Sequence, residues 1–278
     1  MAIQLFAFPA GLWAASPAPA AAGDERLELA MYYRSLGYRD LREPKSFTPS
    51  AGFIPDHGGW TRNWTEQRVY ASLVYRLMET DRLVIAPGIH IGTSLARFAA
   101  NNVSIGYSEA WETQPALLWG PSLRLLLRQA PGQGAFLRLD YELFVVSAPE
   151  GQETVSSLSG TATPPQDRDA FFSWTSHEVT AAVGYDWGRV TASAGLSLTA
   201  FRLDKRLTHH IDPTGSRSTA LAAILALDSQ ASRYGYEPQT LVAPYLSLAL
   251  RPWNLLSVEA ALRPSAQPDV TLGLRLFF

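Results

Sequence analysis

Three features of the chain predict an all-β fold, an antiparallel up-and-down sheet closed on itself to cross a membrane. Apolar and polar residues alternate with period two in ten segments, as strands do when one face meets an apolar medium. The connections alternate between long polar loops and tight turns, so successive segments return antiparallel. None of the outward-facing residues named below is Asp, Glu, Lys or Arg. A cation on a lipid face costs about 2–4 kcal/mol at the midplane, which gives that avoidance a cause. Lipid offers unpaired backbone groups no partner, so a spanning sheet has to close.

The first segment, 26–35, sets Leu27, Leu29, Met31 and Tyr33 on one face and is followed by a long polar loop, 36–65. The second, 66–78, puts Val69, Ala71, Leu73, Tyr75 and Leu77 outward and Arg68, Tyr70, Ser72 and Arg76 inward. A tight turn at 79–82 leads to the third, 83–97, with Leu83, Ile85, Ile89 and Ile91 outward, and then to a loop at 98–113. The fourth, 114–128, alternates Leu117, Trp119, Leu123, Leu125 and Leu127 with Gly120, Ser122, Arg124 and Arg128. Pro131, Gly132 and Gly134 then supply the preset or positive φ that a turn needs. The fifth, 135–147, has Leu137, Leu139, Tyr141, Leu143 and Val145 on one face against Arg138, Asp140 and Glu142 on the other, before a Ser/Thr/Pro/Gly loop at 148–170.

The sixth segment, 171–186, carries Val179, Ala181, Val183 and Tyr185 outward and turns at 186–189 into the seventh, 190–203. The longest loop, 204–239, has room for a short helix capped by Ser218. The eighth, 240–251, turns at Pro252-Trp253-Asn254 into the ninth, 255–263, and a Pro264–Pro268 link reaches the tenth. Ten is even, as single-chain bacterial barrels require. Proline donates nothing to a ladder, so Pro87, Pro121 and Pro244 mark bulges or strand ends and leave twelve strands open.

Composition narrows the class. A chain of 278 residues suits one barrel, and a net charge of −2 supplies no basic field for nucleic acid. With 0 cysteines there is no disulfide framework, thiol nucleophile or thiolate metal site. No run approaches the roughly 20 apolar residues of a membrane helix. Residues 1–22 read as a secretory signal, with an apolar run over 3–15 and the small-x-small pair Ala20 and Ala22, leaving 23–278 as a single barrel domain.

The last eleven residues, from Pro268 to Phe278, alternate strictly and end on an aromatic. Through Gly273 and Phe278 this closing segment resembles that of Gram-negative outer-membrane β-barrels, whose terminal aromatic is read by the assembly machinery. The resemblance implies an integral outer-membrane location, termini and short turns in the periplasm, and loops 36–65, 98–113, 148–170 and 204–239 outside. Tyr75, Tyr185, Trp187, Trp253 and Phe278 gather at the short-turn side, as an interfacial girdle does.

The inward face is charged. Arg68, Arg76, Arg124, Arg138, Arg263 and Arg275 stand against Asp140, Glu142, Glu178 and Glu259, with Arg26, Arg34, Arg128, Arg251, Glu28 and Asp269 in the same phase. Buried charges have to be paired, and barrels of about eight strands are just filled by side chains, so a salt-bridged lumen follows.

Chemistry at the rim rests on His57, His209, His210 and Asp212, since converging His and Asp can activate a water. His210 with the following Asp-Pro-x-Gly resembles the fourth outer loop of omptin proteases, which are ten-stranded. Thr208 stands where that family has Asp, and 98–113 lacks Asp altogether, so two carboxylates are missing. His177 and Ser176 are adjacent and therefore point to opposite faces, which excludes a dyad there. His90, between Gly88 and Gly92, reads as a hydrogen-bonded interior residue. Phe53, Trp60, Trp64 and Trp111 read as aromatics that pack the loops on one another, with adhesion as the alternative. The chain carries no zinc spacing, phosphate loop or cofactor motif.

The function that follows is a non-enzymatic structural or surface-interaction barrel, or a narrow solute pore with a salt-bridged lumen. The alternatives are an outer-membrane hydrolase of peptide or lipid working at the rim, and a barrel subunit of an envelope complex. Expected partners are outer-membrane lipid and lipopolysaccharide, whose phosphates the loop arginines suit, the barrel assembly machinery, and an envelope protein.

Overall fold

The computed structural model describes residues 26–41, 60–103, 106–130, 133–147, 149–158, 161–162, 168–209, 232–236, 242–265 and 268–278. The expected signal segment 1–22, Phe53, His57, Trp60's side chain, His210 and Asp212 lie outside what is described.

Among the described residues, fifteen strands form one sheet. They are β1 (Leu27–Tyr38), β2 (Trp60–Tyr75), β3 (Met78–Glu79), β4 (Leu83–Asn102), β5 (Tyr107–Thr113), β6 (Ala116–Arg128), β7 (Gly134–Val146) and β8 (Glu150–Leu158). β9 (Thr161–Ala162), β10 (Arg168–Asp186), β11 (Val190–His209), β12 (Ser232–Tyr236), β13 (Val242–Trp253), β14 (Leu256–Arg263) and β15 (Asp269–Phe277) follow. Ten of them make a closed antiparallel ring, in the order β1, β2, β4, β6, β7, β10, β11, β13, β14, β15 and back to β1. Closure rests on the terminal segment: β15 pairs β1 from Glu28–Phe277 to Ser35–Val270. The backbones of Leu27 and Phe278 exchange hydrogen bonds of 3.2 and 2.9 Å.

The three prolines stand where the ladder can spare them, which settles ten strands over twelve. Pro87 lies just past the last β2–β4 pair, Val74 with Gly88. Pro244 lies beyond the β13–β14 ladder, which starts at Leu246 and Leu262. Pro121 sits in a gap of the β6–β7 ladder between Trp119–Val145 and Ser122–Glu142. Beside it the strands crowd, and a Cβ on Gly120 would come 1.7 Å from the Leu143 carbonyl oxygen. At the short-turn end, Gly188 takes φ +88° in the β10–β11 turn and donates its N–H to Asp186 Oδ1 at 2.7 Å.

The ring is lopsided. β4 and β11 run 20 residues and β10 runs 19, whereas β14 and β15 have 8 and 9. Twenty residues at the usual rise and tilt reach roughly 50 Å, about twice the apolar band of a barrel. Much of what the sequence assigns to outer loops is therefore strand. The segment 98–113 holds the end of β4 and all of β5, and 148–170 holds β8, β9 and the start of β10. Loop 36–65 gives up its ends to β1 and β2, and 204–239 gives up the end of β11 and β12. β5 pairs β4 and β8, and β8 pairs β10, so the wall continues above the membrane ring.

The alternation persists into this extension with its polarity inverted. On β2 the outward residues change from Val69, Ala71 and Leu73 to Thr61, Asn63, Thr65 and Gln67, while the inward ones become Trp64 and Glu66. On β4 the outward face passes from Leu95 to Arg97 and Asn101 as Phe98 turns inward, and on β11 it passes from Leu198 to Arg202 as Phe201 and Leu203 turn inward. The charge-free outward face ends where lipid ends. Above that level the chain is a water-facing barrel with an aromatic core, because only the inside is now apolar. Tyr75, Tyr185, Trp187, Trp253 and Phe278 are all exposed at the short-turn end, placed for an interface girdle.

Candidate functional site

The lumen is filled in layers, each built by inward-pointing residues that recur every second position. Nearest the short turns lies a cup of about 540 Å³ lined by Arg76, Glu79, Arg128, Arg251 and Phe277 among others. Arg76 and Arg128 share Glu79, each at 3.2 Å, and Arg251 lies over the Phe277 ring at 5.0 Å.

Its floor is a ring of six alternating charges. Glu28 on β1 meets Arg124 on β6 (3.2 Å), which meets Asp140 on β7 (3.1 Å), which meets Arg138 (2.8 Å). Arg138 reaches Glu259 on β14 (3.8 Å), Glu259 pairs with Arg275 on β15, and Arg275 returns to Glu28 (3.5 Å). Arg138 also donates to the Tyr245 hydroxyl at 2.5 Å.

A second charge layer lies nearer the outer end. Glu178 on β10 ion-pairs with Arg34 on β1 (2.6 Å) and accepts hydrogen bonds from Arg68 on β2 (3.0 Å) and the Ser176 hydroxyl (2.7 Å). Arg34 continues to Asp269 on β15 (2.5 Å), which takes Arg263 on β14 (3.1 Å). Arg68 continues to Glu66 (2.8 Å), whose carboxylate also accepts from Ser94 (2.7 Å) and the Trp174 indole (2.9 Å). β1 and β10 are five strands apart in either direction round the ring, so the Arg34–Glu178 bond crosses the barrel axis. Both side chains are 2% exposed or less.

Each layer holds three arginines and three carboxylates and is neutral as a unit, which is what low-dielectric burial of ions demands. The arginine excess seen in the sequence belongs to the short-turn end, where Arg26, Arg128 and Arg251 stand, and not to the sealed part of the lumen.

Above the charges the extension is packed with rings. Trp64, Phe98, Trp111, Phe172, Trp174, Phe201, Leu203 and Tyr236 form one buried cluster. Trp64 meets Trp174 edge-on at 4.8 Å between centroids, and Tyr38 stacks on Phe201 at 4.2 Å across the barrel. Lys205 is buried within this cluster, 2.7 Å from Glu109 and 4.8 Å from the Trp111 ring centre.

Of the residues singled out for the lumen, Arg68, Glu178 and Arg263 lie in the outer charge layer and Arg124, Arg138, Asp140, Glu259 and Arg275 in the inner one. Arg76 lies at the mouth, and Glu142 meets no arginine among the described residues. Gly273 packs against the Tyr32 ring, and Phe278 closes the β1–β15 seam. Glu66 escaped the sequence reading although it opens the predicted segment 66–78 in the inward phase of Arg68, and of the ring cluster only Trp64 and Trp111 were singled out, as loop-packing aromatics.

Of the rim candidates, only the backbone of His209 falls among the described residues. His209 is the last residue of β11, its backbone opposite Arg168. Ser176 and His177 do face opposite ways: Ser176 is buried in the outer charge layer, while His177 is exposed with Nδ1 3.0 Å from the Tyr141 hydroxyl. His90 departs from expectation. It is buried, but both ring nitrogens lack a hydrogen-bond partner because its neighbours are rings. No group of three or more metal-ligating side chains occurs among the described residues.

No protein-family model matches the chain, and no curated protein matches it in sequence. Solved structures of outer-membrane proteins are similar in shape. The outer-membrane protease OmpT of Escherichia coli is 10% identical, with 91% of this chain and 97% of that chain covered and a TM-score of 0.47. The toluene transporter TbuX of Ralstonia pickettii is 9% identical over 91% of this chain and 90% of that one, with a TM-score of 0.42. The transport unit of the autotransporter AIDA-I of Escherichia coli is 8% identical over 96% and 94%, with a TM-score of 0.40. The chain's own closed ring, charge-free lipid face and exposed aromatic band make it an integral outer-membrane β-barrel.

Proposed function

We propose that the protein is a non-enzymatic barrel whose lumen is shut, and that it serves as a rigid platform presenting its outer extension and loops at the cell surface. The observation that carries this reading is the buried Arg34–Glu178 bond between opposite strands, with a neutral charge layer around it and a ring-filled core above. A general diffusion pore needs an aqueous path, and here the path is occupied at three heights. The cup of about 540 Å³ opens from the short-turn, periplasmic end and stops at the inner charge ring. Surface partners in this reading are lipopolysaccharide and envelope proteins met by the outer loops.

The test is conductance in planar bilayers. Purified barrel inserted at neutral pH should give a quiet baseline, whereas steady, long-lived open channels of the unaltered protein would overturn the reading. The hydrolase alternative is tested by His210→Ala with Asp212→Ala: surface-substrate hydrolysis that tracks wild-type protein and disappears in the variant would replace a platform with an enzyme.

A further inference from the structure

We propose that His90 is a proton-sensitive element of the lumen seal: uncharged it packs as a ring between the charge layers, and charging it in mild acid loosens them.

His90 points into the lumen from the middle of β4, with Gly88 and Gly92 on the same face leaving room for its ring. It stacks on Phe144 at 5.0 Å and 16° and meets Tyr70 edge-on at 5.4 Å. Both its nitrogens are buried without a hydrogen bond. Its nearest carboxylate oxygen, Glu142 Oε1, is 3.6 Å from Nε2, an ion-pair contact beyond hydrogen-bond length. Every carboxylate of the two charge layers meets at least one arginine, while among the described residues Glu142 pairs only with His90. Among the described residues at and between the two charge layers, one imidazole and one acid are left out of the arginine–carboxylate pairing.

The groups facing His90 set the consequence of charging it. β2 presents Arg68 as well as Tyr70, and Arg68 already lies 4.4 Å over the Phe144 ring. β6 presents Arg124, committed to Glu28 and Asp140. β10 presents Glu178, committed to Arg34 and Arg68. β7 presents Glu142, the one acid facing His90 among the described residues that no arginine holds. A buried cation without close pairing and hydrogen bonds is costly. An imidazolium here adds a third cation beside Arg68 and Arg124, and it is relieved only if His90 and Glu142 close their gap. That movement pulls His90 off Phe144, the ring that also carries Arg68, so proton uptake at His90 reaches the outer charge layer through one shared side chain.

The experiment compares bilayer openings at pH 7.5 and pH 5.0 for wild type, His90→Phe and His90→Gln. Wild-type opening frequency should rise on acidification, and both variants should lose that rise. If His90→Phe does not assemble, His90→Gln, neutral at both pH values, decides alone. A wild type with no rise, or a rise that survives in the variants, overturns the proposal. It rests on the shut-lumen reading, and the two fail differently: steady conductance at pH 7.5 overturns that reading, whereas a quiet barrel whose acid openings ignore His90 overturns only this one.

Discussion

Glu178→Gln removes one charge and keeps the side chain's volume, and it tests whether the outer charge layer holds the lumen shut. Glu178 binds Arg34 at 2.6 Å, Arg68 at 3.0 Å and Ser176 at 2.7 Å, at 1% side-chain exposure. Its loss leaves three arginines facing two carboxylates in a buried site. Removing one partner of a buried pair costs about 3–5 kcal/mol. Arg34 keeps Asp269 and Arg68 keeps Glu66, so the lower end, about 3 kcal/mol, is expected. The assay is denaturant unfolding in detergent, followed by the gel shift between folded and boiled forms, with bilayer conductance on the same preparation. Glu79→Gln is the matched control. It also bridges two arginines at 3.2 Å each, but its side chain is 38% exposed, where such pairs contribute at most about 1 kcal/mol. Equal, small losses in the two variants, with Glu178→Gln still electrically quiet, would refute the claim that the charge layer is the seal.

Trp64→Ala opens a cavity in the fully buried ring cluster and should cost about 3–5 kcal/mol, read as protease cleavage within the outer extension while the membrane ring stays intact. The inversion of the outward face predicts a positional contrast: Ile91→Arg should cost about 2–4 kcal/mol in lipid, while Asn101→Arg, on the same face of β4 above it, should change unfolding by less than about 0.5 kcal/mol. Deleting Phe278 removes the backbone bonds with Leu27 at the closing seam and the proposed assembly signal. Less heat-modifiable protein in the outer membrane, with total synthesis unchanged, is the expected outcome.

The spanning ring was legible because lipid imposes a single rule on every outward position. Leu137, Leu139 and Tyr141 against Arg138, Asp140 and Glu142 leave no other register, and the same logic put Arg124, Glu178 and Glu259 in the lumen before any partner was known. Pairings were not legible, since period two fixes the face and not the height. Nothing local says that Arg34 meets Glu178 across 144 positions of chain while Glu142 meets no arginine. The extension was missed for a physical reason too. Arg97-Phe98, Trp111-Glu112 and Phe201-Arg202 still alternate, but with the apolar residue inside, so a search for a charge-free outer face reads them as loop. A test for period two that ignores which phase is apolar would have carried β4, β5 and β11 to their ends.

The inversion also accounts for where the outer charge layer sits. Gln67 is the last polar outward residue of β2 and Arg68, next to it on the inner face, belongs to the outer charge layer, while Leu95 and Arg97 straddle the same transition next to Ser94. Below this level the wall is apolar outside and charged inside; above it the wall is polar outside and aromatic inside. A barrel whose inside has to change from ions to rings needs a level at which polar groups satisfy each other and present carbon upward. Glu66 does this directly, taking Arg68 and Ser94 from below and the Trp174 indole from above, and Trp174 packs on Trp64. Glu66→Gln keeps the indole's acceptor and removes the ion pair, so it should weaken the outer charge layer while leaving the ring cluster folded. Glu66→Leu removes both and should uncouple the extension from the membrane ring, giving two unfolding transitions where the wild type has one. A single transition in Glu66→Leu would mean that the ring cluster is held by the continuous strands alone.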